Sequence, residues 1–263
     1  MARSAIMNIM VQAAFKAGRV LARDFGEVQN LQASMKGPAD YVSQADKKAE
    51  NIIRRELQYA RPSYGFLLEE SGEIIGEDKQ HRFIIDPLDG TTNFLHGIPH
   101  FAVSIGLESQ GRMAAAVIYN PITDELYTAE RGNGAFLNDR RLRVSARRRL
   151  EDCVIGTGIP HFGGKNHGAY LVELRNIMAE AAGIRRMGAA ALDLAYIAAG
   201  RLDGFWEENL KPWDMAAGLL LVREAGGFAT DKTGGQEIFA RKNIIAGNEY
   251  IHAALMKTLK KPV

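Results

Sequence analysis

Phe83-Ile84-Ile85-Asp86-Pro87-Leu88-Asp89-Gly90-Thr91-Thr92-Asn93-Phe94 is a β-branched apolar run that opens into two carboxylates, a proline, a glycine and two hydroxyls. Ile84 and Ile85 favour a buried strand, and Pro87, with no N–H to give a ladder, is expected to end it and leave Asp86 at its tip. Asp89-Gly90 is a turn dipeptide that would swing the Asp89 carboxylate back beside Asp86, with the Leu88 carbonyl turned the same way. Those oxygens would face one point and suit a hard cation such as Mg²⁺, which binds through one or two carboxylates plus substrate phosphate. Gly90, Thr91 and Thr92 add backbone N–H groups and hydroxyls; a helical turn beginning there would seat a phosphate at its N-terminus. Either aspartate alone reads as an ordinary turn residue.

The totals set the frame. A chain of 263 residues holds one large domain or two interlocked halves, and a 46% hydrophobic content supports a sizeable core. A formal net charge of +2 provides no global field for nucleic acid or a membrane surface. Cys153 is the only cysteine, which excludes an intrachain disulfide and a multi-cysteine zinc site; its apolar setting predicts an inert thiol. Near the N-terminus, Ile6, Met10, Ala13, Ala17, Val20 and Leu21 form a helical stripe interrupted by Lys16, Arg19 and Arg23, unlike a secretory segment. No window has the uninterrupted apolar length of a membrane span, so a cytoplasmic setting is expected.

Along the chain, a first helix is predicted over residues 4–25, then a polar connection from Gly26 to Pro38. Ser43-Gln44-Ala45-Asp46 has capping-box form, and Ala49, Ile52, Ile53, Leu57 and Ala60 give a second helix its apolar stripe. Asp46 by itself therefore reads as a cap. A strand over residues 64–68 runs into Glu69-Glu70 with no turn residue between, so one of those glutamates is expected at the end of a sheet. Residues 101–108, 113–119 and 125–129 read as an antiparallel meander with turns at Gln110-Gly111, Asn120-Pro121, Gly132-Asn133-Gly134 and Asn138-Asp139. Arg140, Arg141, Arg143, Arg147, Arg148 and Arg149 follow. They read as a solvated hairpin face, because Leu142 and Val144 alternate with Arg141 and Arg143; nucleic-acid contact is the other reading, without aromatic interleaving to support it.

From about residue 151 the pattern changes to a strand and loop over 154–158, a helix over 167–181, a short strand over 185–187, a helix over 189–199 and a strand over 203–207. The chain is expected to form a single domain with an α+β half over about 1–150 and an α/β half over about 151–263. Gly156-Thr157-Gly158 lacks the later glycine of a dinucleotide loop, and Gly164-Lys165-Asn166 lacks the Walker pattern. His96 and His100 have zinc-like spacing, but Pro99 opposes the helix that spacing requires. Gly188-Ala189-Ala190 would offer N–H groups at a helix start. Asp214 reads as a helix N-cap with Gly226 as the stop, and a strand over 243–246 and a helix over 250–259 close the chain.

The run Asp86-Pro87-Leu88-Asp89-Gly90-Thr91-Thr92-Asn93-Phe94 resembles the first signature of the inositol monophosphatase family, within the Mg²⁺-dependent, lithium-sensitive phosphatases. Trp213-Asp214-Met215-Ala216 through Ala225-Gly226-Gly227 resembles its second, and the likeness extends from about Asp40 to Gly227. The resemblance implies an α+β fold, a layered αβαβα sandwich, usually dimeric. It implies roughly two or three Mg²⁺ per site, with Glu69, Asp86, Leu88, Asp89 and Asp214 as ligands. It also implies that Asp46 pairs with Thr91, that Gly188, Ala189 and Ala190 face substrate hydroxyls, and that Glu207 binds an inositol hydroxyl. The expected reaction is hydrolysis of inositol monophosphates by a metal-activated water held by Glu69 and polarised by Thr91. Relatives within the superfamily act instead on fructose 1,6-bisphosphate, nucleotide 3′-phosphates or histidinol phosphate, and some bacterial members are linked to transcription. The sequence departs from the family at Leu68, where many relatives carry glycine, and at Ala189, where serine or threonine is usual.

Overall fold

Alternation along the central strands sorts their side chains into separate layers. In the computed structural model, which describes residues 3–27, 33–37, 40–160 and 167–261, Ile84 joins one buried cluster while Phe83 and Ile85 join another. Period-two geometry puts neighbours on opposite faces of a sheet, and both faces here are covered. The Gly164-Lys165-Asn166 stretch and Pro38 lie outside the described residues.

In chain order the elements are α1 (Ala5–Phe25), β1 (Ala33–Gly37), β2 (Asp40–Ser43), α2 (Gln44–Ala60), β3 (Tyr64–Leu68), β4 (Gly72–Ile74), β5 (Asp78–Asp89) and α3 (Thr91–Leu95). The meander follows as β6 (Ala102–Ser109), β7 (Arg112–Asn120), β8 (Glu125–Glu130), β9 (Gly134–Leu137) and β10 (Arg140–Arg141). The remainder is β11 (Val154–Thr157), α4 (His167–Met178), β12 (Gly183–Arg185), α5 (Ala190–Ala198), β13 (Gly204–Glu208), α6 (Pro212–Glu224), β14 (Phe228–Thr230), α7 (Ile238–Arg241), β15 (Asn243–Gly247) and α8 (Glu249–Thr258).

The larger sheet has the order β10-β9-β8-β7-β6-β5-β3-β4, with β3 parallel to β5 and every other neighbouring pair antiparallel. The smaller sheet has the order β12-β11-β13-β15-β14, with β11 parallel to both β12 and β13. Met10, Ala14 and Leu21 of α1 and Ile53 and Leu57 of α2 bury against Phe66, Phe83, Ile85 and Val117 on one face of the larger sheet. Its other face, through Ile84, Ala116 and Ile118, meets α5 and α6, which in turn meet Phe205, Ile244 and Ala246 of the smaller sheet. The outer face of that sheet, through Ile155, Trp206 and Ile245, is covered by Ile177 of α4 and Ile251 and Leu255 of α8. The layers are therefore α, β, α, β, α, and the architecture is the expected α+β sandwich.

Several local expectations are corrected. The polar connection contains a strand: β1 pairs antiparallel with β2. The run Ala33-Ser34-Met35-Lys36-Gly37 does alternate, but it is short and holds no β-branched or aromatic residue, so its local signal for a strand is weak. The central strand does not stop at Pro87. It continues to Asp89, and its pairing with β6 slips between Asp86↔Ser104 and Asp89↔Ala102, a bulge that absorbs the missing N–H. The short strand lies two residues earlier than predicted, at Gly183–Arg185, because its partner is the start of β11. The helix predicted to residue 181 ends at Met178. Asp214 occupies the third position of α6, with Lys211 as N-cap and Pro212 first, a place where proline's fixed φ suits the helix. Cys153 is buried, its thiol pushed up to about 12 chiefly by burial, and it donates to the Arg149 carbonyl at 3.0 Å, as an inert thiol should. Among the described residues no helix is long and apolar enough to cross a membrane.

Candidate active site

The parallel pairing of β3 with β5 sets the first part of the site. Leu68 lies opposite Ile85, so Glu69, the first residue beyond β3, stands beside Asp86 of β5; the Glu69 N–H donates to the Ile85 carbonyl at 3.2 Å. The loop after β3 is held from below by Glu50 of α2. Its carboxylate accepts from the Glu70 N–H at 2.8 Å and from the Ser71 hydroxyl. Glu50 is buried beside Asp46 on the same helix. Of the adjacent glutamates, Glu69 is the one that faces Asp86, since Asp86 hydrogen-bonds with it.

The bulge sets the second part. Asp86 accepts from the Leu88 N–H at 2.9 Å, and the Thr91 hydroxyl donates to the Leu88 carbonyl at 3.0 Å. Gly90 caps α3 in the left-handed region, φ 94°, where glycine carries no steric penalty. A side chain there would also crowd the His100 carbonyl and Ala189. The N-terminus of α3, with Thr91 and the exposed Thr92, therefore starts directly beyond Asp89.

Residues from the second half complete the cluster. Ser104, paired with Asp86 in the sheet, donates to the Trp213 carbonyl at 3.4 Å and so ties the start of α6 to the end of β5. Asp214 accepts from the Lys211 N–H at 2.7 Å. Asp89 accepts from the Ala191 N–H at 2.7 Å, at the first turn of α5. Ala189, the α5 N-cap, makes no side-chain cap bond; a carboxylate from the other half of the chain supplies it. That α5 donor is thus engaged by Asp89 in this structure. Glu207 extends from β13 and packs against Gly158, where an added carbon would stand 1.8 Å from its Oε1.

Electrostatics follow from this crowding. Asp86 is held well above the ordinary carboxylate range by burial first, then by the charges of Glu69, Asp89 and Asp214. Asp89 is pushed up to about 7, again by burial, with Glu207 and Glu69 adding to it and the Ala191 N–H opposing. Glu207 rises to about 8 through burial and the charges of Asp193 and Asp214, opposed by Arg186. Among the described residues no lysine or arginine ion-pairs with Asp86 or Asp89. Nor, among the described residues, are three or more acidic, imidazole or thiol groups gathered so as to hold a metal ion as they stand. The donor chemistry still suits a divalent cation: Asp86 and Asp89 are buried, Glu69 and Asp214 half-buried, and all offer oxygen without a paired lysine or arginine on the two aspartates.

Sequence reasoning did not single out Glu50, Asn93, Arg186 or Asp193. Asn93 is buried, and its amide donates to the carbonyls of His100 at 2.8 Å and Met187 at 2.9 Å, fastening α3 to the strap before α5. Asp193 is 1% exposed. A signal for it was present: an acid in the otherwise apolar helix of residues 189–199 is a buried polar group needing a reason. His96 and His100 do not share a helix, since α3 ends at Leu95. Three of the clustered arginines are engaged: Arg147 pairs with Asp203 at 3.0 Å, Arg148 lies over the Tyr250 ring at 4.6 Å, and Arg149 pairs with Glu151.

Comparison with known proteins agrees along the whole chain. The sequence model of the inositol monophosphatase family matches residues 2–262. An inositol-1-monophosphatase of Rhizobium meliloti (strain 1021) is 69% identical over 263 residues, covering 100% of this chain and 99% of the relative. The Nus factor SuhB of Escherichia coli (strain K12) is 46% identical over 255 residues, covering 97% and 96%. The crystal structure of extragenic suppressor protein suhB from Bartonella henselae has a TM-score of 0.97 at 75% identity, covering 99% of this chain and 100% of that one.

Proposed function

This chain belongs to the inositol monophosphatase family, and from that premise we propose that it hydrolyses inositol monophosphates, releasing inositol and phosphate in a Mg²⁺-dependent, lithium-sensitive reaction. The observation that carries this reading is Asp86, buried and crowded by Glu69, Asp89 and Asp214 without a cationic side chain to neutralise it. Glu69, Asp86, Asp89, Asp214 and the Leu88 carbonyl would hold the metal. The chemistry that bound Mg²⁺ supplies is charge neutralisation at the phosphoryl group and activation of water. The N–H groups and hydroxyls of Gly90, Thr91 and Thr92 bind the phosphoryl oxygens. The Thr91 hydroxyl, which donates to the Leu88 carbonyl in this structure, would turn to Asp46 once that carbonyl serves the metal, and its oxygen would then accept a hydrogen bond from the attacking water and orient it. Attack in line with the ester oxygen forms one P–O bond as the other breaks, and the alcohol leaves with a proton. Glu207 accepts from a hydroxyl of the leaving polyol beside Gly188, Ala189 and Ala190. A homodimer in the cytoplasm belongs to the same reading.

The test is phosphate release from inositol 1-phosphate beside fructose 1,6-bisphosphate, a nucleotide 3′-phosphate and histidinol phosphate, with Mg²⁺ titrated and Li⁺ added. Release led by the inositol ester, dependent on Mg²⁺ and suppressed by Li⁺, is expected. If another ester leads, substrate selection differs and Ala189 is the first position to exchange for serine.

A second reading draws on relatives named Nus factor SuhB and on the arginines at 140–149. Internal partners already occupy Arg147, Arg148 and Arg149, which weakens it. Salt-sensitive RNA retention lost on exchanging Arg140, Arg141 and Arg143 would favour it.

A further inference from the structure

Arg186 lies on the strap between β12 and α5, exposed, and forms no hydrogen bond or ion pair among the described residues. An exposed arginine of this kind is ordinarily just solvated charge. Its surroundings argue otherwise. A carbon on Gly188 would stand 2.9 Å from its Nη1 and 3.2 Å from the Asn93 amide nitrogen, so the guanidinium lies close over a glycine held at φ 86°. Asn93 anchors the backbone on either side of that glycine. The positive charge is felt by Glu207 and by Asp193, lowering the proton affinity of both, without pairing with either.

Sheet register brings the two groups to the same end of the smaller sheet: Arg185 and Phe205 pair with Gly156 from opposite sides, so the Arg186 guanidinium donor and the Glu207 carboxyl lie one and two residues beyond that level on either side of β11, without being joined. The other donors expected there are depleted, since the Ala191 N–H serves Asp89 and Ala189 has no hydroxyl. Resting on the phosphatase reading, we propose that Arg186 is a specificity-determining residue that, with Glu207, reads neighbouring hydroxyls of the leaving polyol. Glu207 accepts their protons' hydrogen bonds and Arg186 donates to their oxygens. A second phosphate suits this position less well than hydroxyls, because a phosphate dianion has no proton to donate to Glu207 whereas a hydroxyl both donates to Glu207 and accepts from Arg186.

The test compares wild type, Arg186→Ala and Arg186→Lys with Mg²⁺ on inositol 1-phosphate, fructose 1,6-bisphosphate and phenyl phosphate, which has no hydroxyls. Arg186→Ala is expected to raise KM for inositol 1-phosphate about tenfold with kcat little changed, to shift phenyl phosphate by less than about twofold, and to be partly rescued by lysine. Equal losses on inositol 1-phosphate and phenyl phosphate, no loss on inositol 1-phosphate, or a greater loss on the bisphosphate would each overturn the proposal. NMR titration of the same proteins with myo-inositol and with inorganic phosphate needs no turnover: Arg186→Ala should weaken inositol and spare phosphate, and unchanged inositol binding overturns the proposal. Failure of wild type to cleave any ester would count against the phosphatase reading, while the inositol titration still decides the role of Arg186.

Discussion

Asp89 carries two duties, accepting from the first turn of α5 and facing the carboxylate cluster. Asp89→Asn keeps an acceptor oxygen for Ala191 but removes the charge a cation needs. Phosphate release should fall by at least about 10³-fold, while the melting midpoint stays level or rises, because a buried charge is relieved; a release assay beside calorimetry checks both. Gly158→Ala acts on the substrate side, since its new carbon would overlap the Glu207 carboxylate. That change should raise KM for inositol 1-phosphate about tenfold and destabilise by about 1–3 kcal/mol, read from steady-state kinetics and denaturant unfolding. The two positions differ in legibility. Asp89 announces itself through its own neighbours, Asp86 to Thr92. Gly158 reads only as part of an incomplete dinucleotide loop, because its reason for being glycine is a side chain on another strand.

Elements with one buried face were legible from their period. The stripes of α1 and α2 needed no tertiary information. By contrast α6 is buried through Met215–Val222 on every side, since it lies between two sheets, and such a helix carries no stripe to say which neighbour it meets. Gly218 makes the point. By helix propensity alone, Gly218→Ala should stabilise by about 1 kcal/mol. In the fold its new carbon would stand 2.5 Å from Leu194 Cβ of α5, and prying apart packed helices costs about 1–3 kcal/mol or more. The net sign is therefore destabilising. Because α6 carries Asp214 and α5 caps Asp89, apparent Mg²⁺ affinity should fall as well; thermal unfolding with and without Mg²⁺ measures both effects.

For the molecule as a whole, the carboxylate cluster links stability to pH and metal. Asp89 and Glu207 sit at about 7 and about 8, above their ordinary 3.8 and 4.5. The folded state consequently binds more protons than the unfolded chain between about pH 4 and 8, so stability of the metal-free protein falls as pH rises through that window. A melting temperature lower by about 5 °C at pH 8 than at pH 5 is expected, with Mg²⁺ raising it most at pH 8, because binding needs the deprotonated ligands. Differential scanning calorimetry in EDTA and in Mg²⁺ tests this. The sequence by itself determined most helices and the strands of the meander, the expectation of hard-cation and phosphate chemistry at Asp86 to Thr92, and, through its two signatures, the layered architecture. Only the tertiary structure decided that β5 runs through Pro87 by a bulge, that the Ala191 N–H caps Asp89, that Glu50 supports the Glu69 loop, and that the Arg186 guanidinium lies over Gly188. The physical reason is locality. Periodicity and turn chemistry are written in adjacent residues, whereas these contacts join distant parts of the chain through sheet register and helix packing, which leave no local trace.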